Sequence, residues 1–259
     1  MLERLLRPVG SAMPPSYAVA YDPLETLAWV AARTERIRLG TSIIIAPLHV
    51  PVTIARRLAT LDQLSGGRVI AGLGQGYAPE EFATANVPIS RRGRGFEEFI
   101  AAMRAAWGPD PVRFDGRVYR IPVAEIGPKP LQPGGPPVIV AARELPSVRR
   151  AGRIGDGLNP IPTAWPTFER VLHEFRTAAV AAGRDPARLA IVVRTNTTVS
   201  ATRLPEPRAT MTGSEEQVIE DLHRLRALGA TEAFFDMNRF GIEPAEQLRQ
   251  VDRLRAALD

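Results

Sequence analysis

The 259 residues are 45% hydrophobic and 24% charged, an ordinary globular balance that suffices for one barrel-sized domain over 1–259, and no apolar run is long enough to suggest a membrane partner. The absence of cysteine excludes disulfides, thiolate metal sites and cysteine nucleophiles, and fits a reducing, cytoplasmic setting. The net charge of +5 sits on arginines interleaved with acids, without a stripe of stacking aromatics; no nucleic-acid partner is expected, and the functional reading of the charge is attraction for an anionic small molecule.

Asp22-Pro23-Leu24-Glu25 opens the first helix, with Asp22 as N-cap and Leu24, Leu27, Ala28 and Ala31 as its apolar face. A strand is expected at 37–45. A second helix starts at Pro51, turns Ile54, Leu58, Leu61 and Leu64 inward and stops at Gly66-Gly67, before a strand at 68–73. The stretch 78–136 exceeds what one crossover requires and reads as an insertion. It holds a helix over 94–107, a hairpin over 112–119 turning at Asp115-Gly116, and a Pro/Gly-rich loop. Strands at 137–142, 157–161, 189–196 and 233–236 then alternate with helices at 146–154, 166–182, 214–228 and 244–258. Such alternation specifies an α/β fold with a parallel sheet, and the strands are apolar throughout, as strands covered on both faces should be. A doubly wound sheet competes with a barrel. Small polar endings at successive strand C-termini, with an insertion after one of them, favour the barrel. Six strands belong to the series, not the eight of a complete TIM (β/α)8-type barrel.

Two strand ends carry the chemistry. The first is Gly40-Thr41-Ser42-Ile43; the second is Gly72-Leu73-Gly74-Gln75-Gly76-Tyr77. Gly72, Gly74 and Gly76 alternate and so share one strand face, where missing side chains either offer a flat ligand a smooth wall or permit tight packing. No helix opens on them at once, so they are not the dinucleotide fingerprint. His49 follows a strand in a loop on the active face and, with Tyr77, is a candidate for the substrate pocket. His173 and His223 fall in helices and read as surface residues; no metal spacing is present. Arg91 and Arg92 precede a helix, Lys129 is a cation available to an acidic cofactor tail, and Asp236 and Asn238 end the last strand.

The motifs Tyr21-Asp22-Pro23-Leu24, Arg36-Ile37-Arg38-Leu39-Gly40-Thr41-Ser42, Leu61-Asp62-Gln63-Leu64-Ser65-Gly66-Gly67-Arg68, Gly72-Leu73-Gly74-Gln75-Gly76-Tyr77, Glu80-Glu81-Phe82, Pro128-Lys129-Pro130 and Gly155-Asp156-Gly157 resemble, in order and spacing, the luciferase-like superfamily. Its members bind FMN or the deazaflavin F420, and the likeness is greatest to the deazaflavin-dependent type. The resemblance implies a (β/α)8 barrel that here begins at the end of the second strand and is N-terminally incomplete. It implies a non-proline cis peptide at Ser42–Ile43 beneath the ring system, next to Thr41, and a phosphate site at Ala141-Ala142-Arg143. The family usually places Gly-Gly-Ser/Thr at that site, so Arg143 is expected to contact the phosphate directly. Arg4 occupies the position of a family histidine near the reactive ring edge. The implied function is hydride transfer between F420 and a small organic substrate, with no metal. The alternatives are an FMN-dependent monooxygenase and a truncated barrel that binds cofactor poorly. Missing strands imply open edges at 37–45 and 233–236, and hence a homo-oligomer.

Overall fold

The computed structural model describes residues 1–237 and 241–258, so Asn238, expected to end the last strand, lies outside the described residues. The chain divides into two compact units: Met1–Ala141 with Ile154–Asp156, and Ala142–Arg153 with Gly157–Asp259.

In the first unit the order is α1 (Pro23–Ala31), β1 (Leu39–Gly40), β2 (Ile44–Ile45), α2 (Pro51–Ser65), β3 (Val69–Gly74), α3 (Pro79–Thr84), α4 (Arg94–Trp107), β4 (Val112–Asp115), β5 (Arg120–Ala124) and β6 (Val138–Ala141). Asp22 caps α1 as expected, accepting from the Leu24 amide at 2.9 Å. Gly66 closes α2 in the left-handed region, at φ 70°. β1, β2 and β6 all run parallel to β3. Ile44, Ile45, Leu58, Leu73, Phe96, Phe99 and Met103 form the buried core under these strands.

The strand expected at 37–45 is broken in two. Leu39 pairs with Val69 but Ile44 pairs with Leu73, so the segment spends one more residue than β3 does over the same span. That extra residue is a bulge. The Thr41 hydroxyl replaces the lost ladder bonds: it donates to the Gly72 carbonyl at 2.8 Å and accepts from the Gly72 amide at 2.9 Å. The edge expected to stand open is partly covered. The Met1 backbone nitrogen donates to Gly40 at 2.9 Å, the Ser42 amide to Met1 at 2.5 Å and the Glu3 amide to Ile43 at 3.0 Å.

The Leu61–Arg68 motif proves to be scaffold. Asp62 is fully buried, and its carboxylate accepts from the amides of Leu131 and Gln132 and from the Gln132 side chain at 2.7–2.9 Å. The Arg68 guanidinium donates to the carbonyls of Ala31, Thr34, Ile37 and Ser65, closing the ends of α1 and α2. In the insertion, α3 was not anticipated. The hairpin turn lies at 116–119 rather than at Asp115-Gly116, and the second arm runs on to Ala124. The cause is Glu98 on α4, whose carboxylate accepts from the amides of Val118 and Tyr119 at 2.6 and 2.7 Å.

The second unit contains α5 (Leu145–Ile154, whose last residue falls in the first unit), β7 (Gly157–Asn159), α6 (Trp165–Ala181), β8 (Ala190–Thr195), β9 (Thr198–Val199), β10 (Thr212–Gly213), α7 (Glu215–Ala227), β11 (Glu232–Phe235) and α8 (Pro244–Ala256). β7, β8 and β11 are parallel neighbours. The short β9–β10 pair was not foreseen; it ties the two ends of the 200–211 loop. Arg208 in that loop makes a buried ion pair with Asp221 on α7, and Asp221 also accepts from the Met211 amide at 2.6 Å. Ser214 and Gln217 form a reciprocal cap at the start of α7.

Candidate functional site

The bulge at Thr41-Ser42-Ile43 lies between β1 and β2 and faces Gly72 and Gly74 of β3. The Ser42–Ile43 peptide bond is cis, as the family resemblance implied. Thr41 is buried and fixed to Gly72, whereas Ser42 and Ile43 remain half-buried. The bulge is therefore held from behind by Gly72, with Ser42 and Ile43 partly exposed.

The three alternating glycines are explained first by this chain itself. A Cβ at Gly72 would collide with the Thr41 carbonyl oxygen. One at Gly74 would lie 2.6 Å from Ile43 Cδ1, and one at Gly76 2.6 Å from Ile45 Cγ2; Gly76 also needs its φ of 70°. Absent side chains thus let the bulge settle on β3, and the side chain of Ile43 takes the space beside Gly74. Gln75 turns to the insertion, where its side-chain oxygen accepts from the Gly93 amide at 2.6 Å.

The N-terminal segment brings two acid–base pairs to the same strand ends. Glu3 Oε2 accepts from the Ile45 amide at 2.6 Å, and its Oε1 lies 2.7 Å from His49 Nε2. Arg4 lies over the rings of Tyr77, at 4.8 Å, and Tyr17, at 5.5 Å. Its Nη1 is 3.2 Å from Glu81 Oε2, while Glu81 Oε1 accepts from the Leu5 amide at 2.9 Å. Arg4 and Glu81 are almost fully enclosed; His49 and Glu3 keep 24% and 13% of their side-chain surface. Sequence reasoning placed His49 and Tyr77 in this neighbourhood but missed both carboxylate partners. Separations of 46 residues for Glu3–His49 and 77 for Arg4–Glu81 leave no local signal for either pair.

Of the remaining candidates, Lys129 is taken up by the Asp110 carboxylate at 2.9 Å and the Ala106 carbonyl at 3.1 Å, which corrects its assignment to a cofactor tail. That ion pair and the Ile126 amide hold the Asp110 carboxyl below the usual range. Arg91 lies over the Tyr119 ring at 5.2 Å, and Arg92 is exposed. Burial pushes the Tyr119 phenol up, against the opposing effect of Arg91. His173 and His223 are exposed on helices, as expected. Among the described residues no cluster could hold a metal.

Ala141 ends β6 in the first unit, with Ala142 half-buried and Arg143 exposed at the start of the second. Ala142 avoids the left-handed region. Arg143 makes no ion pair with Glu144 or with any other described residue, so its five donors are available. In the same unit Asp236 pairs with Arg194. Within the first unit, the backbone bulge stiffened from behind fits the flat ring of a cofactor.

The sequence pattern of the luciferase-like monooxygenases matches residues 8–204. An uncharacterized protein of Mycobacterium tuberculosis is 32% identical over 93% of this chain and 78% of its own length. An F420-dependent glucose-6-phosphate dehydrogenase of Nocardia farcinica is 41% identical over 51% of this chain, but only 41% of that protein is covered. Among solved structures, monooxygenase RslO1 from Streptomyces bottropensis is similar with a TM-score of 0.71 and 25% identity, covering 83% of this chain and 74% of its own. The coenzyme F420-dependent tetrahydromethanopterin reductase of Methanopyrus kandleri gives a TM-score of 0.76 at 17% identity, covering 89% of this chain and 86% of its own. These likenesses show the fold as α/β of the TIM (β/α)8-barrel type, with six strand positions present among the described residues. With three quarters of its length on the family pattern and the bulge, glycines and cis peptide in their places, this chain belongs to the luciferase-like monooxygenase family.

Proposed function

We propose that the protein is an F420-dependent oxidoreductase that transfers hydride between the deazaflavin and a small organic substrate. The observation that carries this reading is the Thr41–Ile43 bulge, closed behind by Gly72 and open at Ser42 and Ile43. The F420-dependent relatives support the choice of deazaflavin over FMN.

When bound, the deazaflavin supplies a hydride acceptor or donor; the protein supplies position, charge and exclusion of water. Ser42 and Ile43 present backbone and an aliphatic side chain on which a flat ring can rest. Gly72, Gly74 and Gly76 act behind that surface, since the room they leave is what seats Thr41, Ile43 and Ile45. Arg143 offers a forked guanidinium to a phosphate in place of the amide cradle, with the half-buried Ala142 and Ala141 leading into it. Tyr77, held over Arg4, borders the substrate.

Fluorescence titration of the protein with oxidised F420 and with FMN tests the reading. F420 is expected to bind at least about tenfold more tightly, a difference of roughly 1.4 kcal/mol. Tighter binding of FMN would favour an FMN-dependent monooxygenase; the similarity to RslO1 supports monooxygenase chemistry without naming a cofactor. Binding of neither would leave a fold without the cofactor.

A further inference from the structure

We propose that Arg91, Arg92 and Arg94, with the phenol of Tyr119, hold the carboxylates of the deazaflavin's glutamate tail. The inference rests on the F420-dependent reading above and adds to it the place where the acidic end of the cofactor lies.

Lys129, the cation expected to meet that tail, is committed to Asp110. Three other cations stand close together in the same insertion, in the run Arg91-Arg92-Gly93-Arg94. Arg92 and Arg94 are exposed, Arg91 is half-buried, and none of them makes an ion pair among the described residues. Of the two acids that follow, Glu98 is turned to the hairpin, where it accepts from the amides of Val118 and Tyr119, and Glu97 lies in the first turn of α4. Three guanidiniums against one carboxylate leave the segment positive. Arg94 is the first residue of α4, and no side chain caps that helix, so its first amides add donors beside the guanidiniums.

The segment is fixed to the strand end that faces the bulge. The Gly93 amide donates to Gln75 Oε1 at 2.6 Å, and Gln75 lies between Gly74 and Gly76, the glycines that seat Ile43 and Ile45. A ring on the bulge and a tail on the arginines are thus served by one connected piece of the first unit.

A second observation points to a ligand rather than to a solvated face. Tyr119 is 9% exposed, its ring packs edge-on against Phe99, and its Oη is shut off from solvent without a hydrogen-bond partner. The group over that ring is Arg91, at 5.2 Å. A guanidinium only donates, so it cannot accept the phenolic hydrogen. Phenol and guanidinium are two donors side by side with no acceptor between them, which is unfavourable for a buried group. A carboxylate offers only acceptors and satisfies both. Several carboxylates suit this segment better than one phosphate. The three guanidiniums sit on separate side chains, one held on an aromatic ring and two reaching solvent, so each can take a carboxylate of a flexible chain.

Fluorescence titration of the full chain with two forms of the cofactor tests the proposal: F420 with its glutamates, and the deazaflavin that keeps the phosphate but lacks the glutamates. Wild type is expected to bind the tailed form about tenfold more tightly. That preference should shrink in about 0.5 M salt, because contacts at exposed arginines are screened. Arg92→Gln/Arg94→Gln, at exposed positions, should lose about threefold for the tailed form, and adding Arg91→Gln should abolish the preference, with the tail-less form bound as by wild type. Tyr119→Phe should melt no lower than wild type, since no hydrogen bond is lost, yet bind the tailed form about threefold more weakly. Equal losses for both forms would move the arginines to the phosphate and overturn the tail site. A wild type that does not distinguish the two forms, or a triple variant that still does, would overturn it too and leave the F420 reading standing. A wild type that binds neither form would overturn both.

Discussion

Both units bury carboxylates, and the partners they are given separate scaffold from chemistry. In the C-terminal unit Asp221 is bonded to Arg208 and to the Met211 amide, and Asp236 to Arg194. These contacts pin a loop and a strand end, and the partners are themselves enclosed. In the N-terminal unit Asp62 serves the same purpose for the 131–132 turn. Glu3 differs: its partner is an imidazole that keeps a share of its surface open. A buried acid is therefore not informative until the far side of its partner is examined.

The comparison breaks most severely at Asp221. Replacing it with alanine leaves the Arg208 guanidinium, only 8% exposed, with the exposed Glu206 carboxylate as its remaining ion-pair partner. Losing one partner of such a pair costs about 3–5 kcal/mol, which lowers Tm by on the order of 10 °C in a chain of this size. The Arg208→Met/Asp221→Leu double variant should lose much less, and calorimetry of the three proteins checks the difference.

Next in size is Gly72→Ala. The new methyl group meets backbone, the Thr41 carbonyl, and cannot be relieved by a rotamer change. Overpacking of this kind costs about 1–3 kcal/mol or more, and here it should also weaken F420 binding because the bulge is displaced. Gly213→Ala in the other unit provides the contrast. There the obstacle is the buried Gln217 side chain of the α7 cap, and Gly213 itself has a positive φ of 123°, so stability should fall without any change in F420 affinity. Melting curves and F420 titrations on both variants separate the two outcomes.

The N-terminal unit was the more legible of the two, for identifiable reasons. Its helix starts and stops follow from Asp22, Pro23, Pro51 and Gly66, which act through local backbone chemistry. The cis bond at Ser42–Ile43 came from the family resemblance rather than from propensity. Three features were not legible. The hairpin turn was displaced by Glu98, a residue 20 positions away from the Val118 amide it holds. The strand at 37–45 broke because Thr41 bonds through its side chain to Gly72, a choice that hydrophobic pattern does not encode. Glu3 and Glu81 found their partners through tertiary approach, so nothing in the spacing of the N-terminal residues marked them. In the C-terminal unit the helices were placed within a residue or two, but the β9–β10 pair escaped notice because two-residue strands carry no period.

A smaller effect is expected at Arg143. It is exposed and makes no ion pair among the described residues, so Arg143→Ala should leave stability within about 0.5 kcal/mol. If it holds the phosphate, F420 affinity should fall about tenfold, since a charge-assisted bond contributes roughly 1.5–3 kcal/mol. Unchanged affinity in the titration would remove Arg143 from the phosphate site.

The smallest effect concerns pH at the hairpin. Desolvation raises the Glu98 pKa, but hydrogen bonds from the backbone amides of Tyr119, Val118 and Arg117 outweigh it, and the net pKa lies below the ordinary glutamate value. A depressed carboxyl pKa contributes stability above its unfolded value and loses it as pH falls through the folded one. Acidification should therefore loosen the β4–β5 turn in the acid range below the ordinary glutamate value, while Glu98→Gln should loosen it at neutral pH already. Amide chemical shifts of Val118 and Tyr119 across an acid titration report both.

Hydrogen exchange on the full chain with and without saturating F420 tests the central claim most directly. If the bulge and its neighbouring strand ends hold the cofactor, exchange should slow at the amides of residues 41–45 and 74–77 and stay unchanged along α7, where the buried pair is scaffold. Slowed exchange along α7 with no change at residues 41–45 would contradict the account.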